Sequence, residues 1–194
     1  SFIVSARRTY ADIFLRLSKD ERAQNSILYF YDLNAKANYR LGKKDRIFLS
    51  GYFGRDNFGF ADQFGFDWGN ATGTFRWNHL YGDRLFGNTS VIFSNYNYKI
   101  KFGAGEETFQ IGSEIQDINI KEDFDFFINS KNTMSFGGNI IHHTFRPGEI
   151  ETGSDIGFTL NDIENRYSLE SAAYISNEQK IKKRWKVVYG LRYS

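Results

Sequence analysis

The chain has no cysteine, one proline and one methionine among its 194 residues. Without cysteine there is no disulfide scaffold, no thiolate metal site and no thiol nucleophile, although the redox compartment stays open. A surplus of one charge is missing too. Lys and Arg total 25 against 23 Asp and Glu, a net charge of +2, far from the basic excess that marks a nucleic-acid partner. No apolar run approaches the roughly 18 residues of a membrane-spanning helix, and the mean hydropathy is −0.51. No targeting segment is visible where Ser1 opens directly onto Phe2-Ile3-Val4, and Tyr189-Gly190-Leu191-Arg192-Tyr193-Ser194 reads as a strand still in progress. The chain is therefore expected to be a piece of something longer.

What is abundant is aromatic: 20 Phe, 12 Tyr and 3 Trp, 18% of the chain. That is too rich for disorder. A chain polar on average yet full of Phe and Tyr is what alternating strands produce, with one apolar face and one wet face. From Asp32 to Leu41 the alternation is strict: Leu33, Ala35, Ala37, Tyr39 and Leu41 against Asp32, Asn34, Lys36, Asn38 and Arg40. It recurs from Gly69 to His79, from Ile118 to Ile128, and from Trp185 to Tyr193. Around Phe109, Ile111 and Ile115 the apolar phase is opposite to that after Ile118, which predicts a β-bulge near Gln116.

The pattern predicts nine strands over 2–8, 28–41, 46–56, 67–80, 85–99, 107–128, 133–146, 166–179 and 184–194. Short connections (42–45, 81–84, 129–132, 180–183) alternate with long ones (9–27, 57–66, 100–106, 147–165). In an antiparallel meander this puts all tight turns at one end, as in an outer-membrane barrel. A soluble sandwich also alternates. It is disfavoured by strands much longer than the usual five or six residues, by so regular a polar face, and by aromatics near strand ends. These are Tyr29, Phe30, Tyr31, Phe53, Trp68, Tyr81, Phe86, Tyr96, Tyr98, Phe124, Phe126, Phe127, Tyr174 and Trp185, expected to form interfacial girdles. The predicted fold is all-β: an antiparallel up-and-down transmembrane β-barrel, partial, about nine strands of a larger one. In a bilayer the apolar face meets lipid, so Asp32, Lys36, Arg40, Arg76, Asn78 and Arg192 are expected to face the lumen.

Several phrases resemble TonB-dependent outer-membrane receptors of the Bacteroidetes type. They are Ser1-Phe2-Ile3-Val4-Ser5-Ala6-Arg7-Arg8-Thr9-Tyr10, Tyr29-Phe30-Tyr31-Asp32-Leu33-Asn34-Ala35-Lys36 and Phe48-Leu49-Ser50-Gly51-Tyr52-Phe53-Gly54-Arg55-Asp56. Trp68-Gly69-Asn70-Ala71-Thr72, Arg76-Trp77-Asn78-His79-Leu80, Ala173-Tyr174-Ile175-Ser176-Asn177-Glu178 and Tyr189-Gly190-Leu191-Arg192-Tyr193 continue the resemblance along residues 1–194. It implies a barrel of about 22 strands, filled by a plug domain that follows a TonB box; this chain contains no stretch like either. It also implies energy-coupled import of a scarce nutrient, such as a siderophore or oligosaccharide, in the outer membrane of a Gram-negative bacterium. The partners implied are outer-membrane lipid, the plug of the same parent chain, the TonB complex and the nutrient, with no nucleic acid. A passive porin-like barrel and a soluble β-sandwich binding module are the alternatives.

No enzymatic constellation, cofactor or metal site is read from the residues. His142 and His143 are adjacent, so on a strand they point to opposite faces and cannot chelate one ion from a single face. Glu106-Glu107 and Asp123/Asp125 read as solvated charge. No nucleophile–base–orienter set falls on one face. The ligand-binding candidates in the lumen are Asp32, Lys36, Arg40, Arg76 and Asn78. Arg55, Phe58 and Phe60 are candidates in the expected loop. There Phe58, Phe60, Phe64 and Phe66 either pack on one another over the barrel mouth or touch a ligand.

Overall fold

A computed structural model describes residues 1–61, 63–103, 108–152, 163–182 and 185–194, with 149–152 and 182 described by backbone alone. Nine strands form one sheet: β1 (Phe2–Arg8), β2 (Ile27–Arg40), β3 (Asp45–Phe60), β4 (Phe64–Leu80), β5 (Leu85–Phe102), β6 (Phe109–Asn129), β7 (Asn132–Thr152), β8 (Arg166–Lys182) and β9 (Trp185–Tyr193). They pair in sequence order, each antiparallel to the next. Between β1 and β2 lie two short helices, α1 (Ala11–Arg16) and α2 (Glu21–Gln24). Asp20 caps α2 by accepting from the Arg22 amide at 2.9 Å.

The two faces are inverted relative to a water-soluble sheet. Register aligns Leu49, Phe75, Val91, Ile120 and Ile140 in one row across β3–β7. These side chains are open: Leu49 is 61% exposed, Ile120 55% and Ile140 54%. Leu33 and Tyr39 are likewise exposed, whereas the most buried polar residue, Ser90 at 3%, belongs to the opposite face. That face runs Arg46, Asn78, Asn88, Asp123, Gly137, Tyr174 and Arg192 across β3–β9. No second layer covers the apolar rows among the described residues. This is the wall of an up-and-down transmembrane barrel, apolar toward lipid and polar toward the lumen. β1 and β9 each pair on one side only, as in a partial barrel.

The turn end shows local chemistry. The Asn129 side chain accepts from the Lys131 and Asn132 amides at 2.9 and 3.0 Å, closing the β6–β7 hairpin as an Asx turn. On the lipid face Trp77 Nε1 donates to Asp45 at 2.9 Å, and His79 Nδ1 lies 2.6 Å from the same oxygen. Tyr81 packs edge-on against His79 at 4.5 Å and reaches Phe124 at 5.9 Å. This is an interfacial girdle, with polar tips held at the membrane rim.

Several sequence expectations shift. Residues 57–66 are not a long loop: β3 continues to Phe60, β4 starts at Phe64, and a tight turn joins them. Cross-strand Phe pairs (Phe58 with Phe66, Phe60 with Phe64) zip the polar-looking segment into a ladder. Ala61 in that turn has φ 49°, a left-handed conformation costly for a residue with a Cβ. Ala61→Gly is expected to stabilise the protein by about 0.5–1 kcal/mol, read as a higher denaturant midpoint.

No bulge sits at Gln116. Pairing is unbroken from Glu114 to Phe127, and the register shift lies between Gly112 and Glu114, opposite Pro147-Gly148. Proline has no amide to donate, which suits Pro147 to a break in the ladder. The phase reversal has another origin: Ile115 faces the lumen beside Tyr96 and Phe145.

β8 also runs further than expected, to Lys182, with a register shift between Lys180 and Lys182. The aromatic clusters divide by parity. Tyr29, Tyr31 and Phe53 share the lipid face, with Tyr31 6.0 Å from Phe53. Phe30, Trp68, Phe86, Tyr96, Tyr98, Phe127 and Tyr174 sit on the other face. β5 continues to Phe102, and residues 104–107 (with Glu106-Glu107), residues 153–162 of the 147–165 loop, and Lys183-Arg184 lie outside the described residues.

Candidate functional site

The polar face holds two regions, set apart by height along the strands. At the loop end it is aromatic. Phe58 and Phe64 meet edge-on at 6.1 Å, and Phe64 meets Phe102 at 5.4 Å. Phe66 packs on Trp68 at 4.6 Å and lies 6.4 Å from Tyr98, which in turn is 6.5 Å from Tyr96. Even-numbered positions on β3, β4 and β5 produce this wall, because a period of two sends alternate residues inward. Phe58, Phe60, Tyr96 and Phe102 remain exposed, which leaves ring faces and edges open to a ligand. Their signal in the sequence was the i, i+2 spacing of Phe58 and Phe60 and of Phe64, Phe66 and Trp68. Tyr98 and Phe102 were not marked as a site, since nothing local joins them to β4.

Beside this wall Asp32 lies at the same end. Its carboxylate is 10% exposed, and Arg7 bridges it at 2.5 Å while also lying 5.0 Å over the Phe30 ring. Asp56 lies one row further toward the loop end on the same face.

Lys36, Arg40, Arg76 and Asn78 occupy the turn-end half of the polar face. Arg76 stands beside Phe48, and Asn78 beside Arg46. Arg46, which sequence reasoning did not single out, donates to Asn38 at 2.6 Å and lies 5.0 Å over Phe48. Thus five candidates, Asp32, Lys36, Arg40, Arg76 and Asn78, share one face with Phe58 and Phe60.

Arg55 does not join them. It is a strand residue, and its odd position turns it to the opposite face. There it forms a two-pronged contact with Asp67 (Nη2 to Oδ1 2.6 Å, Nε to Oδ1 and Oδ2 3.0 Å), steadied by Asn57 donating to Asp67 at 3.0 Å.

On the far side of the lumen wall His143 and His142 separate as adjacent strand residues must. His143 Nδ1 is 2.8 Å from Asp117 and Nε2 is 3.8 Å from Glu170. His142 lies on the lipid face, 6.0 Å from Tyr167. Tyr174 donates to Asp123 at 2.7 Å, Lys121 bridges Asp123 at 2.9 Å, and Ser135 bonds Asp125 at 2.5 Å.

No family model matches the chain, and no curated protein does. Solved structures do. The fold matches the ferric preacinetobactin receptor BauA of Acinetobacter baumannii with a TM-score of 0.58 at 10% identity, over 87% of this chain and 34% of that one. It also matches the ferric yersiniabactin uptake receptor FyuA of Yersinia pestis with a TM-score of 0.56 at 9% identity, over 83% of this chain and 28% of that one. The fold is thus that of part of an antiparallel β-barrel wall. The chain spans about a third or less of each of these receptors.

Proposed function

We propose that these strands are part of the barrel of an outer-membrane, TonB-dependent receptor that imports a scarce nutrient. One observation carries this: a single nine-stranded sheet exposes its apolar rows and turns a charged, hydrogen-bonded face inward. That arrangement is at home only with lipid on one side. The likeness in fold to two uptake receptors supports it. The parent polypeptide would supply the remaining strands and a plug, and the TonB complex would supply the force for transport. Neither enzyme chemistry nor a resident cofactor enters.

The aromatic wall at the loop end is the ligand-facing surface in this reading, with Phe58, Phe66, Trp68 and Tyr98 offering ring contacts. Such a wall suits a ligand with planar rings or the apolar faces of sugars. FyuA is an uptake receptor for ferric yersiniabactin and BauA a receptor for ferric preacinetobactin, and ferric complexes of this kind are the first ligands to try.

The test is uptake of labelled ferric siderophores and oligosaccharides by cells carrying or lacking the intact gene. Energised uptake that disappears on deletion, and that stops when the proton gradient is collapsed, is the expected result. Uptake that continues in de-energised cells would instead establish a passive pore. Within an importer, Trp68→Ala is expected to weaken ligand binding about tenfold, the equivalent of losing one good ring contact.

A further inference from the structure

The polar face is electrically lopsided. Over β2–β4, on the turn-end half, it carries Lys36, Arg40, Arg46 and Arg76 and no carboxylate. Register gathers them: Arg40 stands directly beside Arg46, and Arg76 stands beside Phe48, under the Arg46 guanidinium. All four are exposed. Among the described residues Lys36, Arg40 and Arg76 have no ion pair or hydrogen bond, and Arg46 has only Asn38 and the Phe48 ring.

The acids on the same face are arranged differently. Over β6–β8 Asp117 is met by His143, Asp123 by Lys121 and Tyr174, and Asp125 by Ser135. Glu178 is met by Lys186 of β9. These carboxylates of β6–β8 are answered within the sheet; the four cations of β2–β4 are not.

Water alone relieves four neighbouring cations while the surface is open. A folded domain seated there strips that water, and unpaired buried charge is among the costliest arrangements in a protein. We infer that the Lys36–Arg40–Arg46–Arg76 patch docks an acidic protein surface, a cluster of Asp and Glu on the domain that fills the lumen. This rests on the reading that the lumen is plugged. A small anion is the weaker fit. The cations spread over three strands and about 13 Å along β2, too far for one small ligand to meet them together, and they lie at the opposite end from the aromatic wall.

The experiment uses the whole polypeptide that contains these strands, purified in detergent and inserted into planar bilayers. The wild type is expected to show no steady conductance. Lys36→Glu/Arg76→Glu is expected to lose that closure and open in long-lived steps, and Lys36→Gln/Arg76→Gln to fall between them. Each variant is checked for a folded barrel by heat-modifiable migration on gels. A folded charge-reversed protein as closed as the wild type overturns the inference. So does one that stays closed and loses only binding of an anionic ligand, which would make the patch a ligand site. A wild type that already conducts is a separate result: it removes the import reading, and the docked domain with it.

Discussion

Ile120→Arg is expected to cost about 2–4 kcal/mol of barrel stability and to reduce the amount of assembled protein in the membrane, whereas Asn119→Arg, one residue away, is expected to be tolerated. Ile120 sits in the middle of the open apolar row, between Val91 and Ile140. Asn119 points to the other face, between Ile92 and Ile141, with Asp117 and Lys121 as its neighbours along that face of β6. An arginine at 120 must drag a guanidinium into hydrocarbon or distort the bilayer to reach water. One at 119 stays in a polar lumen. The measurement is denaturant unfolding of the refolded barrel in lipid, with membrane abundance in cells alongside. A water-soluble sheet responds differently: Ile120 is more than half exposed, so in water its replacement by Arg is harmless. Equal tolerance at 119 and 120 contradicts the membrane assignment directly.

The second large effect is Gly137→Val. A Cβ at this position collides with the Glu122 carbonyl oxygen and comes within 3.1 Å of the Asp123 Cα. Both are backbone of the paired strand and cannot swing aside as a flexible side chain does. Gly137 lies in the row between Asp123 and Tyr174, and its missing side chain lets the Tyr174 ring lie across it to reach Asp123. The expected loss is at the upper end of the roughly 1–3 kcal/mol typical of overpacking, read as a lower unfolding midpoint. Tyr174→Phe keeps the ring and removes only the hydrogen bond to a charged acceptor. It is expected to cost about 1–2 kcal/mol, because Lys121 still holds Asp123. If both variants unfold like the wild type, β6, β7 and β8 do not pair in this register.

The alternation of Leu33, Ala35, Ala37 and Tyr39 against Asp32, Asn34, Lys36 and Arg40 made the strand and its two faces legible without coordinates, because the period of two is a property of the extended backbone itself. Where the pattern was mixed, reading failed for identifiable reasons. Phe58 to Phe66, with two Gly and one Asp among its Phe residues, looked like a loop because its pairing is cross-strand and each half contributes only alternate rings. Arg55 looked like a mouth residue because its partner, Asp67, lies 12 positions away. Ile115 suggested a bulge because an apolar residue was assumed to face lipid, whereas a lumen also accepts one where Tyr96 and Phe145 flank it.

Local spacing and composition were enough for the strand count, the meander order and the inside-out polarity. These follow from backbone periodicity and from the lengths between turn residues, both written along the chain. Register decided everything that joins distant positions: the aromatic wall assembled from three strands, the outward turn of Arg55, the self-satisfied acids of β6–β8 and the unanswered cations of β2–β4. A shift of one residue reverses every facing, and what holds the register is the full ladder of cross-strand contacts, which no single segment contains.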